Sequence, residues 1–336
     1  MREIFSATLP DLPAPPAAER AAAAGGAASQ VEHDRWMAAW PCLGAVELVQ
    51  PPVAPPGPGS GPVTVCAWNI ERCKHVEAAA ALLAARGAGV VLATEMDRGM
   101  ARAGQRHTTA ELARLLGMGW AFAVEFVELG LGDDRERAAC AGQDNAEGLH
   151  GNAILSRWPI LRAAMIPLDD GGAWFRADLK QGQRRVGGRN AVAALIAGPA
   201  GPFWAAAVHF ESESTPDSRA AEARRLLAGL DALGAAGPAV IGGDLNTRDA
   251  PADGSDPAPA EPAFAAFAEA GFDWRGANAP GATTRNHPWQ PQDRPGRKLD
   301  WLLLRGTQAR APWIAPALGP DGAALSDHEA IGATLA

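Results

Sequence analysis

From residue 63 onward the chain alternates short apolar runs with helical patterns. VTVCAWN (63–69) and GVVLATE (89–95) are compact and rich in β-branched residues, and they predict buried strands. Between them, VEAAAALLAARG (76–87) predicts a helix stopped by Gly87. Thr108 and Glu111 have capping-box spacing and predict a helix running through Leu116 to Gly117. Further strands are predicted at 120–127 and 152–156, and around 160–167, 174–179, 190–197 and 203–209. Thr215-Pro216 opens a helix to about Leu233, with proline at the first helical position. AVIGGD (239–244) is another buried run, PAFAAFAEAG (262–271) a helix ended by Gly271, and LDWLLL (299–304) and AIGATL (330–335) are the last strands.

Buried strands mixed with helices predict a layered α/β domain. About ten strands exceed one ordinary open sheet, so two packed sheets with helices outside are expected. The polar or Pro/Gly-rich stretches 129–148, 249–261 and 276–297 predict long functional loops. Residues 1–62 differ in texture. Residues 1–30 are Ala/Pro-rich and cannot fold alone. Residues 31–50 carry Trp36, Trp40 and Leu48 for packing onto the body, and PPVAPPGPGSGP (51–62) reads as a linker. The expectation is a leader of residues 1–62, partly ordered at most, and one catalytic domain over 63–336.

Composition narrows the classes. The chain has 336 residues, 47% hydrophobic and 20% charged, which excludes a wholly disordered chain. A net charge of -8 without a basic tail argues against a general polyanion binder, though not against a local basic cleft. Basic residues cluster at Arg184, Arg185 and Arg189 and at Arg294, Arg297 and Lys298. No apolar run is long enough to span a membrane, and the first 30 residues lack the basic and apolar segments of a signal peptide. The four cysteines, Cys42, Cys66, Cys73 and Cys140, have neither metal-site spacing nor a disulfide-framework pattern. A cytoplasmic monomer without a membrane anchor is the expectation.

The chemistry lies at the ends of the apolar runs. Asn69 ends one, Glu95 the next and His209 a third. Asp244 and Asn246 end a fourth, and Asp327 and His328 precede the last. With suitable strand directions these ends meet at one rim, where α/β sheets bind ligands. Such an oxygen-rich cluster suits Mg²⁺ or Mn²⁺ better than zinc. Taken singly, Asn69 and Asn246 also suit turns, and His209 suits a satisfied core position. Asp300 inside LDWLLL is harder to explain blandly, because a buried carboxylate needs a partner.

In order, CAWNIER (66–72), ATEMD (93–97), GNAILSR (151–157), VHFES (208–212), GGDLNT (242–247), LDWLLL (299–304) and SDHEAI (326–331) resemble the endonuclease/exonuclease/phosphatase superfamily. The resemblance covers 63–336 and implies a four-layer sandwich, two packed mixed β-sheets flanked by helices. It implies that Glu95, Asn69, Asp327 and Glu71 form the metal site, with Glu95 first as a direct ligand and Glu71 acting through water. It makes Asp244 and Asn246 the pair that places water and holds phosphate, Asp300 the carboxylate orienting His328, and His209 a second histidine. Asn152, Arg219 and Ser326 are then candidates for contact with substrate or with the site residues. The chain has no tyrosine, so the arrangement of branches that use one is excluded.

The implied activity is hydrolysis of a phosphodiester on one Mg²⁺, or Mn²⁺, with either Asp244 or His328 as base. DNA or RNA is favoured as substrate over a small-molecule or phospholipid phosphodiester. Trp289, in NHPWQP, is a possible aromatic contact, with core packing the plainer role. A catalytically silent binding fold is the competing class. It should lack one of Glu95, Asp244, Asn246, Asp327 and His328, and none is missing.

Overall fold

The structure, a computed structural model, describes residues 3–52, 61–169, 183–287 and 289–336. The predicted strand at 174–179 lies outside them. The chain opens with β1 (Thr8–Leu9), α1 (Ala17–Gly25), α2 (Gln30–Ala39) and β2 (Val46–Val49). Then follow β3 (Thr64–Arg72), α3 (Val76–Ala85), β4 (Val90–Arg98), α4 (Thr108–Leu116), β5 (Gly119–Glu128), α5 (Asp134–Ala139), β6 (Leu149–Ser156), β7 (Ile160–Pro167) and β8 (Arg185–Gly187). The rest is β9 (Asn190–Gly198), β10 (Gly201–His209), α6 (Pro216–Ala232), β11 (Ala239–Asp244), α7 (Ala263–Glu269), β12 (Asp300–Arg305), β13 (Ala309–Ala315) and β14 (Ala330–Leu335).

Among the described residues these strands form two mixed sheets. One runs β1-β2-β5-β6-β4-β3-β14-β13, with β8 beside β5, and the other runs β12-β11-β10-β9-β7. Strand alternation builds the layers. Val65, Ala67, Val90 and Leu92 of the first sheet share a core with Ala205, Ala207, Val240 and Leu302 of the second. Their neighbours Cys66, Trp68, Val91 and Ala93 face outward into a core with Val76 and Leu83 of α3 and Leu112 of α4. Ala206, Val208, Ile241 and Leu303 face a third core with Leu226 and Leu230 of α6 and Phe264 and Phe267 of α7. This is the expected four-layer sandwich. Gly242 shows how closely the sheets approach, since a Cβ there would sit 2.7 Å from Leu302 and 2.8 Å from Leu92.

Two βαβ units aim the site. β3 and β4 are parallel and joined through α3, as are β10 and β11 through α6. Each unit therefore brings two strand C-terminal ends side by side. β14 returns antiparallel on β3, and β12 antiparallel on β11, with Asp244 paired to Asp300.

Several expectations change. Residues 3–30, expected to be unable to fold alone, and residues 31–50, expected to pack onto the body, both join the first sheet and its outer core. β2 pairs with β5, and Trp36 and Trp40 are buried. Arg98 of β4 pairs with Asp11 and with buried Glu47. Leu12 and Ala23 of the Ala/Pro tract are fully buried in the same core as Trp36, Trp40 and Leu43. The α4 cap is His107, which accepts the Ala110 N–H. Thr108 is drawn inside the helix, where its hydroxyl donates to the Asp97 carbonyl at 2.8 Å. β13 was hidden by Pro312, which breaks the pattern of a central strand but is tolerated at a sheet edge. α5 lies within an expected loop and carries its own capping box, Asp133 with Glu136. All four cysteines are free and buried.

Candidate active site

The rim formed by these strand ends is locally distorted. The β3–β4 ladder slips between Asn69 and Arg72, and the β4–β6 ladder between Ala93 and Met96. Glu71, Arg72, Cys73 and Glu95 adopt left-handed backbone conformations there, with φ of 44, 71, 51 and 60°. Asn246, just past β11, has φ 48°. Such conformations are unfavourable for residues with a Cβ and gather where surrounding structure imposes them, often at functional sites. The bulges re-aim side chains that a regular strand would send to alternating faces.

Asp244 is the centre of the cluster. Its Oδ1 accepts the Asn246 N–H at 2.8 Å, and its Oδ2 accepts Asn69 Nδ2 at 3.2 Å. His209 Nε2 and His328 Nε2 lie 3.6 and 3.7 Å from the same Oδ2. Asn246 in turn donates to the Phe210 carbonyl, tying the ends of β10 and β11 together.

His328 is held from behind. Its Nδ1 lies 2.8 Å from Asp300 Oδ2. Ser326 Oγ accepts the His328 N–H and donates to the Asn69 carbonyl, while Trp68 Nε1 donates to the His328 carbonyl. Burial disfavours the imidazolium, but the Asp300 and Asp244 carboxylates outweigh it and hold the His328 pKa well above the usual histidine value.

His209 has a different environment. Arg189 lies 2.9 Å from its Nδ1. A guanidinium can only donate, so this closer contact favours Nδ1 as acceptor and the ring proton on Nε2, facing Asp244, against the pull of Glu125 Oε2 3.6 Å from the same Nδ1. Arg189 also donates to Glu125 at 3.3 Å and Glu211 at 3.2 Å. Burial would raise the Glu125 pKa, but the Arg189 charge overrides it and lowers it to about 2.

The metal candidates fall into two groups. Glu95 accepts Asn69 Nδ2 at 3.1 Å and forms an ion pair with Arg72. Glu71 and Asp327 instead meet His287, and the donor atoms of these three residues all lie within 4.8 Å of one another. Two carboxylates and an imidazole are a chemically competent donor set for a divalent cation, with Asn69 and Glu95 alongside. Asp244, Asp300 and His328 form a second close cluster. A charged His328 there offers protons rather than lone pairs.

The three candidates for substrate contact turn inward. Arg219 is buried and makes a two-pronged ion pair with buried Glu261, at 2.9 and 2.7 Å. Asn152 is buried and donates to Asn190. Ser326 is buried and supports the His328 loop. The expected basic clusters also disperse, since Arg189 serves His209 and buried Lys298 donates to the Ala279 carbonyl. Trp289 is no core residue: it is 51% exposed, stacks on His287 and carries the Arg135 guanidinium 4.4 Å from its ring centre.

Sequence reasoning missed His287, Glu125 and the role of Arg189. Glu125 had a signal, being a lone charge inside the apolar run WAFAVEFV and therefore in need of a partner.

The model of the endonuclease/exonuclease/phosphatase family matches residues 66–328. The chain belongs to that family. Members of this family are metal-dependent phosphoesterases and nucleases, and this chain is an enzyme of that kind. A family structure from Beutenbergia cavernae DSM 12333 is 20% identical with a TM-score of 0.58, covering 82% of this chain and 71% of that one. The human Nocturnin catalytic domain, with bound sulfate, is 18% identical with a TM-score of 0.53, over 87% of this chain and 96% of that one. Truncated TDP2 of Caenorhabditis elegans is 16% identical with a TM-score of 0.51, over 82% and 97%. These likenesses show the shared fold. A search of curated proteins finds no match to the chain.

Proposed function

We propose that this family member hydrolyses phosphodiesters with the help of a divalent cation, Mg²⁺ or Mn²⁺. The carrying observation is the convergence of His209 and His328 on Asp244, beside the carboxylates of Glu71, Glu95 and Asp327. A bound cation would neutralise phosphoryl oxygens and favour the attack of water on an anionic ester.

The side chains divide the remaining work. His328, held charged by Asp300 and Asp244, donates to the phosphoryl oxygens as negative charge grows on them. That makes it a poor base at neutral pH and leaves Asp244 to orient the water and take its proton. Asn69 and Asn246 fix the Asp244 carboxylate. His209, with its proton on Nε2, is placed to donate to the phosphate or to the leaving oxygen.

A nucleic acid or nucleotide substrate is favoured over a phospholipid. The support is Arg135, an exposed cation held over the Trp289 ring, whose stacking on His287 places it beside Glu71, since a guanidinium at the edge of the site suits the phosphates of a nucleotide chain. The direct test is hydrolysis of bis(p-nitrophenyl) phosphate and of short DNA and RNA, with Mg²⁺, Mn²⁺ or EDTA and a Glu95→Ala control. Turnover that needs both metal and Glu95 supports the reading. Metal-independent turnover, or an active Glu95→Ala enzyme, refutes it.

A further inference from the structure

We propose that His287, together with Glu71 and Asp327, makes a nitrogen-containing cation site that favours Mn²⁺ or a similar imidazole-binding ion over Mg²⁺. The inference rests on the phosphodiesterase reading and deepens it, by naming the class of metal.

The geometry carries the inference. Ligands 2.0–2.2 Å from a common ion lie roughly 3–4.4 Å apart, depending on whether they are adjacent or opposite. The three donor atoms already lie within 4.8 Å of one another, and His287 Nε2 is 3.0 Å from Glu71 Oε1, the spacing of adjacent ligands. His287 Nε2 donates to Glu71 Oε1 at 3.0 Å. A bound cation would take the Nε2 lone pair of the neutral ring in its other tautomer, with the single ring proton moved to Nδ1 through solvent.

His287 is unusually well held for a loop residue. Its N–H donates to Gln290 Oε1 at 2.8 Å, and its carbonyl accepts Gln292 Nε2 at 2.7 Å. The ring stacks on Trp289 with centroids 4.1 Å apart and planes 11° apart, and the residue is only 7% exposed. Its partners are fixed as well. The Glu71 N–H donates to Asn69 Oδ1 at 3.2 Å, and the Asp327 carbonyl accepts the Arg285 N–H at 2.8 Å. A ring fixed at both backbone ends and over one face loses little further freedom when it takes up a ligand position. Lys74, 3.6 Å from Glu71, is the competing cation there, and its flexible stem can withdraw.

The choice of ion follows from donor chemistry. Oxygen-only sites suit Mg²⁺, whereas an imidazole adds affinity for first-row transition ions. This preference comes from His287 alone, because Glu71 and Asp327 serve either ion.

The test uses the full chain loaded with Mn²⁺ and read by pulsed electron paramagnetic resonance. The wild type should show nitrogen modulation that changes from the ¹⁴N to the ¹⁵N pattern when its histidines are ¹⁵N-labelled. His287→Gln, which keeps a donor for Glu71, should lose that modulation. Its calorimetric Kd for Mn²⁺ should rise roughly 10–100-fold, while that for Mg²⁺ changes by less than about threefold. His287→Asn serves if the glutamine variant does not fold. Bound Mn²⁺ without nitrogen modulation, or with modulation that survives both variants, overturns the role of His287 and leaves the phosphodiesterase reading standing. Failure of the wild type to bind either ion overturns both.

Discussion

His328 Nδ1 lies 2.8 Å from Asp300 Oδ2, and both side chains are buried. The pair fixes what His328 can do. A neutral histidine would accept a proton from water, whereas one held charged by its carboxylate neighbours can only donate.

This distinction predicts a pH profile. If the charged form is required, activity persists until the raised His328 pKa is passed, giving an alkaline limb. Asp300→Asn removes the nearest carboxylate, so that limb should move to lower pH by about one unit or more. Turnover should also fall roughly 10²–10⁴-fold, as when an orienting carboxylate is lost. A neutral His328 acting as base predicts the reverse: an acidic limb, moved to lower pH by the same substitution, with activity gained there. The pH dependence of kcat/KM in both proteins separates the two.

Arg189 and Glu125 make a second buried pair, 3.3 Å apart, behind His209. Arg189→Gln removes the guanidinium from Glu125 and leaves only the His209 ring, 3.6 Å away, to face its charge, so it should destabilise the fold by up to about 3–5 kcal/mol. Glu125→Gln/Arg189→Gln removes both charges and should recover a large part of that loss. Urea denaturation of the single and double variants measures the coupling. In the folded double variant His209 is free to change tautomer, so its ring ¹⁵N shifts should no longer report a proton fixed on Nε2.

Arg219 yields a contrasting prediction. Its guanidinium grips Glu261, which is fully buried. Arg219→Ala should therefore destabilise the protein by about 3–5 kcal/mol. KM of the folded variant for a phosphodiester should change by less than about twofold. A large rise in KM at unchanged stability would restore Arg219 as an anion ligand.

Arg219 also shows where sequence reading stops. An arginine in the first turns of a helix opened by Thr-Pro looks the same whether it meets a ligand or a buried carboxylate. Its partner lies 42 residues away in a loop with no periodic signal. The central site was legible for the opposite reason. Asn69, Glu95, His209 and Asp244 end apolar runs, so strand direction brings them to one rim, although the bulge that aims Glu95 had no sequence signal. Asp300 was legible because a carboxylate inside LDWLLL had to be paired. His287 was not, because its approach to Glu71 depends on how an irregular loop returns across the sheet edge. The packing of residues 31–50 had a signal in Trp36, Trp40 and Leu48, but the ordering of residues 3–30 had none, because it depends on partners distant in sequence, such as Arg98 for Asp11.

Glu222 carries the last prediction, away from the rim. Burial pushes its pKa up to about 8, against the smaller opposing effect of the Glu211 N–H that its carboxyl accepts at 3.1 Å. Because the folded pKa exceeds the unfolded value, the folded state holds one more proton between about pH 4.3 and pH 8. Stability linked to this group is therefore fully present below about pH 4.3 and is lost as pH rises through about 8. Glu222→Gln keeps the acceptor and removes the titration. Its melting temperature should match that of the wild type near pH 5 and exceed it at pH 9, by several degrees if the loss reaches about 2 kcal/mol. Parallel melting curves of the two proteins across pH 5–9 would instead show that Glu222 ionises without a folding penalty, with solvent reaching the carboxyl group.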